Sequence, residues 1–90
     1  MTYQNTLDNW KTDKPIMLVF HARKAAIGHL CGEISKEAFE EIMQAWLSVA
    51  DPNILRSIHK SIAISIRNGH ASPSQKLMHL HITTALMVYQ

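Results

Sequence analysis

Apolar residues recur at helical spacing along most of the chain, and helix-capping residues bracket each apolar stretch. The first long helix is predicted to begin after Asp13, with Pro15 in its first turn, and to end near Gly32. We expect its apolar side chains to share one buried face: Ile16, Val19, Phe20, Ala26, Ile27, Leu30 and Cys31. A short helical turn is predicted before it, around Tyr3, Leu7 and Trp10.

The second helix has the clearest separation between an apolar and a polar side. Ser35 is predicted to cap its N-terminus, and Ile34 and Phe39 have the spacing of a hydrophobic staple across that end. The side that we expect to be buried consists of Phe39, Ile42, Met43, Trp46, Val49 and Ala50.

Two further helices are predicted from the residues at their termini. Asp51-Pro52 has the residue types of an N-cap and a first helical position, and this helix is expected to reach about Asn68. Gly69 then supplies the left-handed residue that often follows a helix. Ser72-Pro73-Ser74-Gln75 is a capping box that opens the last helix, which is expected to run toward the C-terminus.

Residues 61–67 and 77–88 also alternate between apolar and polar positions, which is typical of strands. The alternative fold is therefore α+β, with a C-terminal β-hairpin at 61–67/77–88 that turns at Asn68-Gly69. We favour helices, because the caps fall at both starts and helical spacing persists through Leu55, Ile58, Ile62 and Ile66. The predicted fold is all-α: a small four-helix bundle-like single domain over residues 1–90, with a short N-terminal helical turn.

Charge is distributed unevenly along the chain. Charged residues make up 18% of the sequence, against about 25% in an average domain. No acidic residue follows Asp51, whereas residues 52–90 hold four basic residues. On the third predicted helix Arg56, Lys60 and Arg67 share one side, and we call them the basic ridge. This ridge would attract an acidic protein surface or the phosphates of nucleic acid.

The second predicted helix carries the opposite charge. Glu37, Glu40 and Glu41 lie away from its apolar side and form an acidic ridge. A helix-turn-helix using this helix for DNA recognition is disfavoured, because the acidic ridge would repel the phosphates beside a major groove.

The last predicted helix is apolar around most of its circumference. Leu77, Leu80, Met87 and Val88 lie on one face, and Met78, Ile82, Leu86 and Tyr89 lie on another. Either the helix is buried centrally or one face contacts a partner. We expect an apolar interface that includes Met78, Ile82, Leu86, Met87 and Tyr89.

The pattern of nucleophilic and metal-binding residue types gives little support for catalysis or a bound cofactor. Cys31 is the one cysteine, and we expect it to be buried and inert, although His21 and His29 are near it in sequence. His79 and His81 diverge on a helix, and they would share a face only on a strand. We therefore predict no enzyme activity, no cofactor and no metal site.

The sequence as a whole predicts a small regulator, adaptor or inhibitor that binds another protein and forms a homodimer. Nucleic-acid binding through the basic ridge is the alternative. The N-terminal residues lack the pattern of a secretory signal, and no apolar run approaches the roughly 20 residues that span a bilayer. We therefore expect a cytoplasmic location with no membrane partner.

Overall fold

The structure is a computed structural model that describes residues 3–88. Helices account for nearly all of its regular structure, and no strand occurs in this range. The elements are α1 (Tyr3–Asn9), a 3-10 turn (Pro15–Met17), α2 (Leu18–Leu30), α3 (Lys36–Val49), α4 (Pro52–Arg67) and α5 (Pro73–Met87). The all-α class is confirmed, and the alternative hairpin at 61–67/77–88 is wrong because those residues belong to α4 and α5.

Two compact units follow one another along the chain, Met1–Val49 and Ala50–Gln90, which we call the first and second units. In the first unit, α2 packs against both α1 and α3. In the second unit, α4 packs against α5. The assignment of all 90 residues to a single domain stays a prediction.

The predicted helix caps are present at the atomic level. The Ala38 amide donates to Ser35 Oγ at 3.1 Å, and the Asn53 amide donates to Asp51 Oδ1 at 2.8 Å. The Ser72 capping box is complete, since the Gln75 amide donates to Ser72 Oγ and the Ser72 amide donates to Gln75 Oε1. These local bonds place α3, α4 and α5 close to their predicted starts. The predicted start of the first long helix is wrong: Pro15 lies in the 3-10 turn, and α2 begins at Leu18 with no side-chain cap bond.

The buried side of α3 agrees with its sequence pattern except near the end of the helix, where Ala50 is half-buried and lies beyond α3. Phe39, Ile42, Met43 and Trp46 are buried as predicted, but Val49 is exposed at the end of the helix. Leu47 is buried in addition.

In α2 the predicted buried face is mostly wrong: Ala26 is buried as predicted, but Ile16, Phe20, Ile27, Leu30 and Cys31 are exposed and Val19 is half-buried. The residues that are buried are mostly small: Leu18, His21, Ala22, Ala25, Ala26 and Gly28. A Cβ atom at Gly28 would lie 2.7 Å from Ile34 Cδ1 and 2.9 Å from Tyr3 Cδ1, so glycine alone admits both neighbours. Because α1 and α3 approach α2 closely over its small residues, the larger side chains Phe20 and Leu30 face outward.

In the second unit, Leu55 and Ile62 of α4 and Met78 and Ile82 of α5 are buried. Their spacing is helical in both elements. Ile64 and Ile66, which belong to the alternating stretch 61–66, are exposed on α4.

Candidate functional site

One side of α2 presents large apolar side chains to solvent. Ile16, in the preceding 3-10 turn, is 76% exposed and Phe20 is 51% exposed, and Ile27 and Leu30 are exposed as well. Phe20 and Ile27 are seven residues apart, so they lie on the same side of the helix about 10 Å apart along its axis. We call Ile16, Phe20, Ile27 and Leu30 the α2 outward surface.

Basic residues lie within this surface. Arg23 and Lys24 are exposed, and their positions fall between Phe20 and Ile27 on the same side of α2. No acidic residue occurs between Asp13 and Glu33. The α2 outward surface therefore combines apolar area with positive charge.

The interface predicted on α5 is divided between the interior and solvent. Met78 and Ile82 are buried in the core, so neither is available on an exposed surface. Leu86 is half-buried, Met87 is 65% exposed, and Tyr89 lies outside the described residues. The exposed apolar side of α5 instead includes Leu80, which is 61% exposed.

All three residues of the basic ridge are exposed on α4. The positions of Arg56, Lys60 and Arg67 fall within a sector of about 40° on the helix. The ridge extends about 16 Å along the axis. Arg56 donates to Asn53 Oδ1 at 3.1 Å, which holds its guanidinium near the start of the helix.

The acidic ridge is exposed along α3. Glu37, Glu40 and Glu41 all face solvent. The Lys11 ammonium lies 3.5 Å from Glu41 Oε1, and both side chains are largely exposed. An exposed pair of this kind contributes little to stability, so the ridge remains a negatively charged surface.

A buried histidine joins three segments of the first unit. His21 is 7% exposed, its Nε2 lies 2.7 Å from Asp13 Oδ2, and its Nδ1 lies 3.2 Å from Thr6 Oγ1. The order hydroxyl, imidazole, carboxylate is that of a hydrolase triad. Thr6, however, is only 1% exposed, so a substrate cannot reach its hydroxyl. The network therefore ties α1 and the 13–17 segment to α2.

A second histidine cluster lies between α4 and α5. The rings of His59 and His79 stack with centroids 4.1 Å apart and planes 17° apart. His59 Nε2 lies 2.7 Å from Thr83 Oγ1, and Thr83 Oγ1 donates to the His79 carbonyl at 2.8 Å. Sequence reasoning missed this cluster, because 20 and 24 residues separate His59 from its two partners and only the packing of α4 on α5 joins them.

Cys31 does not have the environment that the sequence predicted. Its thiol is exposed rather than buried. His29 donates its Nδ1 proton to the Ile34 carbonyl at 3.2 Å and stacks on Phe39, and His21 is bound by Thr6 and Asp13. Both histidines that could activate Cys31 are thus held by other groups.

Tyr3 lies beside this thiol. Desolvation, followed by the nearby Cys31 thiol and Glu33 carboxylate, raises the pKa of the Tyr3 phenol above its usual value. The phenol is therefore neutral at physiological pH and is not an activated base.

No group of three or more His, Cys, Asp or Glu side chains within residues 3–88 is placed to hold a metal ion. Because α5 is a helix, His79 and His81 diverge, and the strand arrangement that would bring them to one face does not form. In the same range, no helix has both the length and the apolar character needed to cross a bilayer.

The chain was compared with protein-family models, with curated proteins and with solved structures, and none of the three comparisons gives a match. The exposed apolar side chains and the charged ridges are therefore the features of this protein that bear on its function.

The His21 network generates a prediction about stability. Thr6→Val removes the hydroxyl but keeps the shape of the side chain, and it leaves His21 Nδ1 buried without a partner. We expect the free energy of unfolding to fall by about 1–3 kcal/mol. Urea denaturation measures the change, and Thr6→Ser, which restores the hydroxyl, should recover part of it. Equal stability of Thr6→Val and the natural protein would contradict a structural role for the network.

Proposed function

We propose that this protein is a non-catalytic regulator, adaptor or inhibitor that acts by binding another protein through the α2 outward surface. The observation that carries the proposal is the orientation of α2, which buries alanines and exposes Phe20, Ile27 and Leu30. Large exposed apolar side chains grouped on one side of a helix are typical of an interaction surface. The engagement of His21 and His29 by other groups supports the non-catalytic part of the proposal.

The chemistry of the surface defines the partner. Phe20 and Ile27 lie one above the other on α2, an arrangement that typically binds an apolar groove or the apolar stripe of a second helix. Arg23 and Lys24 add positive charge between Phe20 and Ile27, so the partner should carry acidic residues beside its apolar contact.

Self-pairing through the α2 outward surface is disfavoured. A two-fold interface brings the same patch from both copies together. Arg23 and Lys24 lie near the middle of the surface, so an antiparallel pairing would oppose like charges from the two copies. This surface therefore suits a different, acidic protein.

Replacing the two aligned apolar anchors tests the proposal. We expect the double variant Phe20→Gln/Ile27→Gln to weaken partner binding at least tenfold, since a buried anchor at an interface contributes more than about 1 kcal/mol. Its stability should stay within about 0.5 kcal/mol, because both side chains are exposed. A partner identified by affinity capture and mass spectrometry is purified and titrated by calorimetry.

Val49→Gln is the matched control, since Val49 is an exposed apolar residue at the end of α3. It should bind like the natural protein. Arg23→Glu/Lys24→Glu should slow association and reduce its dependence on salt. A partner that binds the double anchor variant and the control equally well would contradict the proposed surface.

We propose in addition that the protein forms a homodimer. The dimer interface lies on α5 rather than on the α2 outward surface. Leu80, Thr84 and Met87 are exposed at helical spacing and provide a largely apolar, uncharged stripe. Lys76 lies at one end of this stripe, so antiparallel pairing places the two copies of Lys76 far apart. Self-association of α5 is thus free of the repulsion that disfavours α2.

Light scattering over a concentration series measures this self-association. We expect the mass to rise toward a dimer with concentration and Leu80→Glu/Met87→Glu to remain monomeric, because the variant places four carboxylates in one interface. Val49→Glu should still dimerise. A natural protein that is monomeric at every concentration would contradict the dimer.

Nucleic-acid binding is the second candidate function. It is favoured by the exposure of all three residues of the basic ridge and by the absence of any acidic residue in 52–90. Phosphate contacts would make the affinity depend strongly on salt.

Fluorescence anisotropy with labelled duplex DNA and with single-stranded RNA tests this function. If it is correct, Arg56→Glu/Lys60→Glu should weaken binding and lower the slope of log affinity against log salt by roughly one per lost phosphate contact. Lys14→Glu/Lys36→Glu changes the net charge equally, away from the ridge, and should have little effect. Equal losses of affinity in the two variants would show that binding depends on net charge and not on the basic ridge.

We also propose a cytoplasmic location. Cys31 is an exposed free thiol, a form that a reducing compartment preserves.

A further inference from the structure

The stacked imidazoles of His59 and His79 lie where α4 and α5 pack against each other. Their ring centroids are 4.1 Å apart, and both residues are half-buried. Two neutral imidazoles stack favourably, whereas two imidazolium rings at this distance repel each other strongly because the site is partly shielded from water.

The hydrogen bonds determine which nitrogen of His59 carries its proton. The Thr83 hydroxyl has one proton, which it donates to the His79 carbonyl at 2.8 Å. Thr83 Oγ1 can therefore only accept from His59 Nε2, 2.7 Å away. Neutral His59 is thus the Nε2–H tautomer, and its Nδ1 is the atom that takes up a second proton.

The charges around the pair oppose that second proton. The charged and titratable groups on the two helices within three residues of the pair are Arg56, Lys60, Lys76 and His81. The one acidic residue of the second unit is Asp51, whose carboxylate caps the start of α4, eight residues before His59. Desolvation, and then the proximity of His79, lower the pKa of His59 below its usual value. No carboxylate of α4 or α5 compensates a charged pair.

We propose that the His59–His79 stack is a pH-sensitive latch that holds α4 and α5 together when His59 is neutral and loosens when acidic conditions protonate His59 beside His79. This property goes beyond the proposed binding function. The latch residues belong to neither the α2 outward surface nor the exposed stripe of α5.

The direction of the effect follows from the two protonation states. His59 binds its proton more weakly in the folded protein than in the unfolded chain, where its pKa is about 6.5. Below that pH the unfolded chain takes up more protons, so stability falls as the pH decreases toward the folded-state pKa. At a pH well above 6.5, where His59 is neutral in the unfolded chain as well, the latch contributes its full stabilisation.

The test combines a histidine titration with unfolding measurements on the full chain. Nitrogen-detected NMR should show the Nε2–H tautomer of His59 at pH 7.5 and a titration midpoint below 6.5. Urea unfolding between pH 7.5 and 5 should show the stability loss. At a pH below both the folded-state and unfolded-state pKa of His59, the unfolding constant exceeds its value at neutral pH by about tenfold for each unit by which folding lowers that pKa.

Matched variants test whether the His59–His79 pair causes the acid-induced loss of stability. His59→Gln keeps an amide donor for Thr83 but does not titrate, so the acid-induced loss should become smaller. His70→Gln makes the same substitution at an exposed position before α5 and should retain the natural pH dependence. His79→Phe keeps a ring against His59 but removes the imidazole whose proximity lowers the pKa of His59, so it should also reduce the loss.

Two results would overturn the latch. One is a His59 titration at or above pH 6.5, which is read from the natural protein and does not depend on any variant folding. The other is the same pH dependence of stability in His59→Gln, His79→Phe and His70→Gln.

Discussion

The close approach of α1 and α3 to α2 is the constraint on which the first unit depends. Gly28 leaves room for the side chains of Tyr3 and Ile34, and a single added carbon would lie within 3 Å of both. Ala22 and Ala25 are completely buried along the same side. When a helix packs through its smallest residues, its larger apolar side chains have no place inside. The α2 outward surface is a direct consequence.

The exposed surfaces of α2 and α4 lie in parts of the chain that contain no acidic residue. Acidic residues are confined to positions 8, 13 and 33–51, so α2 and the entire 52–90 segment are free of them. The α2 outward surface and the basic ridge of α4 are therefore both positively charged, and the acidic α3 lies between them in sequence. The proposed acidic partner would meet positive charge at the α2 outward surface, and the His59–His79 stack lies on two helices whose charged side chains are all basic.

Much of the fold was predictable because helix ends are local. The Ser35, Asp51 and Ser72 caps each depend on groups within three residues, and Gly32 and Gly69 adopt the positive φ angles of 81° and 76° that follow a helix end. The same caps favour helices over the hairpin, since Asp51 and Ser72 satisfy amides at the starts of two helices that continue through the alternating residues.

The amino-acid sequence by itself determined the presence of the helices, the capped starts of α3, α4 and α5, and the uneven distribution of charge, but not the 3-10 turn that precedes α2. Only the tertiary structure decided which sides of α2 and α5 are buried, placing Ala25 inside and Phe20 outside, and Met78 inside and Leu80 outside. Both helices are apolar around most of their circumference, so the periodicity does not single out one face. The choice depends on the shape and closeness of the packed neighbours, which also bring His59 to His79 and Thr6 to His21.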